Sequence, residues 1–155
     1  MKIITIHFLT LALILSWGCQ IEVDVEAEKE SVKVVLDSYV NSIEKEDMKL
    51  YEQNIYKDSA IINFGGFGNP IIGWDALKEV IEGQNDALSG TTITVSNLVV
   101  NISKSGEFAW ATCLWNLKAV MNDEPLELPI RCSWILEKQE NNWIIVHFHK
   151  SISAG

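Results

Sequence analysis

One segment constrains the fold more than any other: Trp143-Ile144-Ile145-Val146-His147-Phe148-His149-Lys150-Ser151. It is rich in β-branched and aromatic residues and reads as a strand. Side chains alternate along a strand. Trp143, Ile145, His147, His149 and Ser151 are therefore expected on one face, and Ile144, Val146, Phe148 and Lys150 on the other. Both faces are largely apolar, so both need cover, as in a sheet packed on its two sides. The polar groups near the end of the strand then fall where a core meets a cavity or an interface, and a site is sought there.

The rest of the chain fits around that strand. Ser31 can cap a helix that begins there or a few residues earlier, with Val32, Val35, Leu36, Tyr39, Val40 and Ile43 at helical spacing up to about Glu46. Asp47 can cap a short second helix carrying Met48, Leu50 and Tyr51. Ala60 to Phe64 reads as a strand, and Gly65-Gly66-Phe67-Gly68-Asn69-Pro70 as a flexible turn. That turn is not a phosphate loop, because no Lys-Ser/Thr follows it. Trp74 to Leu88 reads as a third helix, with Ala76, Leu77, Val80 and Ile81 as its stripe and Gly90 closing it. Thr91–Ile102, Phe108–Met121, Leu128–Lys138 and Trp143–Ile152 follow as strands, separated by turns at 104–107, 122–125 and 141–142. Helices first and a β-meander after them make an α+β architecture, helices gathered on one face of a curved antiparallel sheet.

The 155 residues suffice for one domain with one sizeable core, and a 48% hydrophobic content is globular. A net charge of −9 argues against nucleic-acid binding, which needs basic stripes, and against docking on anionic lipid by charge. Residues 1–18 read as a signal peptide: Lys2, an apolar run from Ile3 to Leu15 too short for a comfortable span, then Ser16-Trp17-Gly18-Cys19. The last four resemble a bacterial lipoprotein box with Cys19 as the lipidated residue, although Ser16 stands where an aliphatic residue is usual. A lipid-anchored place in the bacterial cell envelope, on the periplasmic side or the cell surface, is the expected localisation, with secretion as the alternative. Residues 19–29 read as an acidic tether, extended by charge repulsion, and residues 30–153 as the domain.

Candidate site residues follow from their chemistry. His147 and His149, two apart on a strand, lie about 7 Å apart at Cβ, near enough to share a metal. No third ligand is flagged by spacing, so no metal is expected. The alternative is a hydrogen-bonded structural role, favoured for His147, with His149 nearer the pocket. Arg131 interrupts an apolar strand. A buried guanidinium there is either an anion clamp or one half of an internal salt bridge. Trp74, Trp110, Trp115 and Trp134 can wall an apolar pocket or fill core and interface. Tyr39 and Asp58 are further polar candidates, Asp58 more simply a turn residue. Cys113 and Cys132 are expected almost opposite each other on neighbouring strands. They form either a cross-strand disulfide or, as favoured here, two small buried apolar groups. No catalytic triad order, nucleophile elbow or carboxylate pair is present, and no cofactor is expected.

Arg131-Cys132-Ser133-Trp134-Ile135-Leu136-Glu137-Lys138, Trp143 and the run Ile145 to Ser151 together resemble the SnoaL-like group of the nuclear transport factor 2 superfamily, over about residues 30–153. The resemblance implies a cone-shaped domain whose bent sheet wraps a long helix and leaves a pocket. The Val-His-Phe-His-Lys-Ser run is also similar to the end of the calcium/calmodulin-dependent kinase II association domain, an oligomerising relative with a small-acid pocket. That likeness implies pocket roles for Arg131 and Lys150, while the third basic position falls near Cys113 and is missing. Some superfamily members are isomerases, cyclases or dehydratases that use an Asp or Asp-His pair, and no residue here matches that Asp. The expectation is a module that binds a small organic ligand. Arg131 projects into the hollow with Lys150, His149 supplies hydrogen bonds, and the tryptophans form the wall. The alternatives are a lyase or isomerase working by proton transfer and a structural homo-oligomer, a dimer or higher.

Overall fold

A computed structural model describes residues 23–152. The expected signal segment 1–18 and Cys19 lie outside them. The first helix, α1, spans Val25–Glu44 and begins seven residues before the start that a cap at Ser31 would set. Asp24 caps it by accepting from the Ala27 amide, and Glu26 and Glu28 sit in its first turn. Carboxylates there complement the positive end of the helix dipole. Lys29 pairs with Glu26 and Lys33 with Glu30 at i,i+3 spacing. The acidic alternation of residues 25–29 is thus the start of a helix and not an extended tether.

Asp47 caps α2, Met48–Asn54, by accepting from the Leu50 amide. Two short strands, β1 (Ile62–Asn63) and β2 (Ile71–Ile72), pair antiparallel around the glycine-rich segment. Helix α3 spans Trp74–Ala87. Gly90 does not close it. With φ +61°, Gly90 lies at a register shift between Ser89 and Thr92, inside the strand that follows. The four long strands are β3 (Ser89–Ile102), β4 (Phe108–Met121), β5 (Glu124–Gln139) and β6 (Asn142–Ile152), in sheet order β3-β4-β5-β6. The β4–β5 and β5–β6 hairpins turn on Asn122-Asp123 and Glu140-Asn141, all four with positive φ, the geometry whose twist matches that of the flanking strands.

The sheet packs its inner face against the helices. Val32, Leu36, Tyr39 and Ile43 of α1, Tyr51 of α2 and Leu77 and Ile81 of α3 are buried against Cys113, Trp115, Cys132, Trp134 and Phe148 of the strands. Of the other two expected stripe residues of α3, Ala76 is half-buried and Val80 exposed.

Strand β6 departs from simple alternation. Ile135 pairs with His147 but Leu136 with Ile145, which leaves Val146 as the extra residue of a β-bulge. A bulge offsets the alternation by one. Trp143 and Ile145 are buried before it, and Phe148 after it. His147, His149 and Ser151 are thereby turned to the outer face, which corrects the expectation that they share a face with Trp143 and Ile145. The free edge of β6 is covered by residues 55–64. Tyr56 donates its amide to Ile145, Phe64 to Phe148, and Lys150 to Phe64, at 2.9, 3.0 and 2.9 Å. Buried Asn63 accepts the remaining bond, from the Phe148 amide to Oδ1 at 2.8 Å.

Candidate functional site

The registers of β4, β5 and β6 place Cys113 opposite Cys132 and Cys132 opposite Lys150. Two thiols and an amine therefore form one row across the inner face. Lys150 reaches that face only because of the bulge at Val146. Its ammonium lies 4.7 Å from the centre of the Trp115 ring, 4.9 Å from Phe148 and 5.1 Å from Tyr39. A cation over aromatic faces gains electrostatic attraction, but less than it loses in hydration. No carboxylate of the described residues pairs with it. Burial accordingly brings its pKa down from 10.5 to about 8, partly offset by the nearby thiols of Cys132 and Cys113.

The rings around Lys150 form one cluster. Tyr39 lies 5.3 Å from Tyr51, 6.2 Å from Trp115 and 6.4 Å from Trp134, and the two indoles are 5.6 Å apart. Four polar atoms in this cluster are buried without a hydrogen-bond partner: the hydroxyls of Tyr39 and Tyr51 and the Nε1 atoms of Trp115 and Trp134. Such groups are costly and call for an explanation. Burial holds both tyrosine hydroxyls protonated well past their usual range. All four can donate, and so can Lys150 and the thiols. The Cys113 thiol is the more acidic of its pair, lowered by the hydrogen bond from Cys132, and Cys132 is raised in consequence. Both cysteines are free and buried.

A cavity of about 300 Å³ opens beside this cluster. Lys150 and Trp115 stand in its wall with Ile43, Leu117 and Leu128, and Gln84 comes from α3. Gly66 and Phe67 of the glycine-rich segment also line it, a role that the turn composition did not signal. Neither Asp, Glu nor His is among its lining residues.

Of the expected pocket residues, the structure brings together Lys150, Tyr39, Trp115 and Trp134, and separates the others. Arg131 is exposed on the outer face, between Leu114 and Ser151 in the register. Its strand neighbours Ile130 and Cys132 take the inner positions, so the cation beside the hollow is an ammonium and not a guanidinium. His149 is exposed against Phe64, ring centres 5.5 Å apart. The Nδ1 of His147 donates to the Ile62 carbonyl at 2.6 Å, which ties the last strand to β1. Among the described residues no group of three metal-ligating side chains forms. Trp110 is 49% exposed on the outer face. Trp74 lies beside Lys57, Asp58 and Asp75 in a separate surface depression. Asp58 accepts from the Ala60 amide at 2.7 Å, a turn residue.

Residues 32–155 match the SnoaL-like domain family. No curated protein matches the chain. A candidate dehydratase of the nuclear transport factor 2-like family from Streptomyces avermitilis superposes with a TM-score of 0.77 at 10% identity, over 84% of this chain and 99% of that one. A nuclear transport factor 2-like superfamily protein from Salmonella enterica gives 0.76 at 24% identity, over 84% and 94%. A candidate calcium/calmodulin-dependent kinase II association domain from Xanthomonas campestris gives 0.69 at 11% identity, over 79% and 86%. These likenesses establish the cone-like α+β fold.

Proposed function

Because this chain belongs to the SnoaL-like domain family, we propose that it binds a small, mainly apolar organic acid in the cavity beside Lys150. One observation carries the reading: an ammonium held against three aromatic rings, without a carboxylate partner, in the wall of an apolar hollow. An anionic ligand would supply the missing counter-charge. Of the buried polar groups without a partner, the indole N–H of Trp115 belongs to the cavity wall and would offer such a ligand a donor beside the ammonium. A cavity of about 300 Å³ suits one aromatic ring or a short aliphatic chain with its acid group. Proton-transfer catalysis by an Asp or Asp-His pair finds no support in the lining residues.

The test is titration of the full chain with benzoate and with benzyl alcohol, a neutral molecule of similar size. Benzoate is expected to bind at least about tenfold more tightly, and Lys150→Met to remove the difference. Equal binding of the two probes overturns the reading. Mass spectrometry of small molecules released on denaturation then identifies the natural ligand.

Two further parts belong to the proposal. Export with lipidation at Cys19 rests on the Ser16-Trp17-Gly18-Cys19 segment, and the mass of the N-terminal peptide from membrane-extracted protein tests it. Self-association through the outer sheet face rests on Phe108, Trp110, Leu114 and Ile135, each 43–49% exposed on adjoining strands. Contiguous apolar surface of this kind marks interaction sites.

A further inference from the structure

Lys150 has features that a simple anion clamp does not need. Clamps on carboxylates are commonly surface-hydrated or backed by a second charge, and they keep a lysine's ordinary basicity. Here the amine is desolvated by Trp115, Phe148 and Tyr39, and its side-chain neighbours across the sheet are two thiols and no carboxylate. Groups facing it from each packed element are Tyr39 of α1, Trp115 and Cys113 of β4, and Cys132 of β5. None carries a negative charge while the thiols stay protonated. The cavity on its open side is lined mainly by apolar side chains, so an apolar carbonyl compound can reach the amine. A desolvated lysine without a counter-ion is the setting in which the free amine becomes available as a nucleophile.

We propose that Lys150 condenses with an aldehyde or ketone held in the cavity, forming an imine. The nitrogen lone pair of the deprotonated amine attacks the carbonyl carbon, and the C–N bond forms as the C=O π pair moves to oxygen. Proton transfer from nitrogen to oxygen gives the carbinolamine. A second proton on its hydroxyl lets water leave with the C–O bonding pair, and the C=N bond closes. The net change is ammonium plus carbonyl to iminium plus water, with no oxidant or reductant. The lowered basicity of Lys150 supports the first step, because at neutral pH about one amine in ten is free, against fewer than about one in a thousand for a hydrated lysine. The inference rests on the reading of this cavity as a ligand site and assigns that ligand a carbonyl group.

The experiment incubates the full chain with benzaldehyde and cyanoborohydride, which reduces an iminium to a stable benzylamine, and maps the product by peptide mass spectrometry. Exposed Lys104 serves as the internal reference. Lys150 is expected to be benzylated at least about tenfold faster than Lys104 near neutral pH. Lys150→Arg is expected to lose that product while its far-ultraviolet circular dichroism stays native. Should the variant not fold, the ratio of the two lysines in the native chain decides alone. Equal or slower labelling of Lys150 overturns the proposal. Benzoate titration of the same preparation separates the two readings. Benzoate binding without preferred labelling ends the imine and keeps the acid pocket, whereas preferred labelling without benzoate binding keeps the imine and ends the acid.

Discussion

Lys150 holds its proton less tightly in the folded chain than in the unfolded one, at about 8 against 10.5. Between those values the unfolded chain binds more protons, so stability rises as pH rises through that window. Below about pH 8 both states are charged and the fold bears the whole cost of the buried ammonium, up to about 3 kcal/mol. Tyr39 and Tyr51 act in the opposite sense, because their folded values lie above the ordinary 10. Cys132, raised above its ordinary 9, joins them from about pH 9, so stability should climb from about pH 8, level off above pH 9 and fall past pH 10. Urea midpoints measured across this range check it, and a flat profile rules out a desolvated Lys150. Lys150→Met should be more stable than the native chain near pH 7 by about 1–3 kcal/mol and should lack the rise, because a buried charge without a partner is replaced by an apolar side chain of similar length. A gain in stability together with loss of benzoate binding is the signature of a side chain kept for its ligand.

At the scale of elements, α1 is joined to the sheet by Glu28. Its Oε2 accepts from the Trp143 indole at 2.8 Å, and its Oε1 accepts from Lys138. The Lys138 hydrogen bond, with help from Trp143, holds this carboxyl below its ordinary 4.5. The stability it contributes is present above pH 4.5 and is lost as pH falls through the lower folded value. Glu28→Gln should cost about 1 kcal/mol at pH 7, read as a lower urea midpoint, and should flatten the acid limb of the profile. The bulge at Val146 is the other deciding element. Deleting Val146 should remove the bulge and leave Ile145 and His147 on successive partners, Leu136 and Ile135, with Phe148 and Lys150 still on the inner face and His147 and His149 still outside. The expected outcome is a chain that folds cooperatively and binds benzoate like the native protein. A deletion variant that loses both refutes this account of the inner face.

On the scale of the whole molecule, the two faces of the sheet divide the work. The inner face makes the core and the cavity, and the outer face carries the exposed apolar patch around Trp110 and Leu114. If two copies cover that patch, light scattering of the full chain should give the mass of a dimer or larger assembly, and Trp110→Lys with Leu114→Lys should give a monomer that keeps the cavity. A monomeric native chain overturns the inference.

What the sequence determined by itself is the order of the three helices and four long strands, but not the short β2, and the side of each strand that alternation controls. Apolar spacing placed α2, α3 and the body of α1, and the turn signals at 122–125 and 141–142 marked the β4–β6 hairpins, which put Cys113 opposite Cys132. Those features are local, because they depend on side-chain period and on backbone preferences over a few residues. The site was legible only in part. Lys150, Tyr39, Trp115 and Trp134 were found as residue types, but Arg131 and His149 were drawn to the same hollow by a period carried unbroken along β5 and β6. A single extra residue at Val146 reversed half of β6. Its placement was decided by Asn63 and Phe64, which bond to the β6 backbone from far along the chain. Phe67 and Gln84 reached the cavity for the same reason: contacts between distant segments have no period to read, and only the packed chain decides which of them meet.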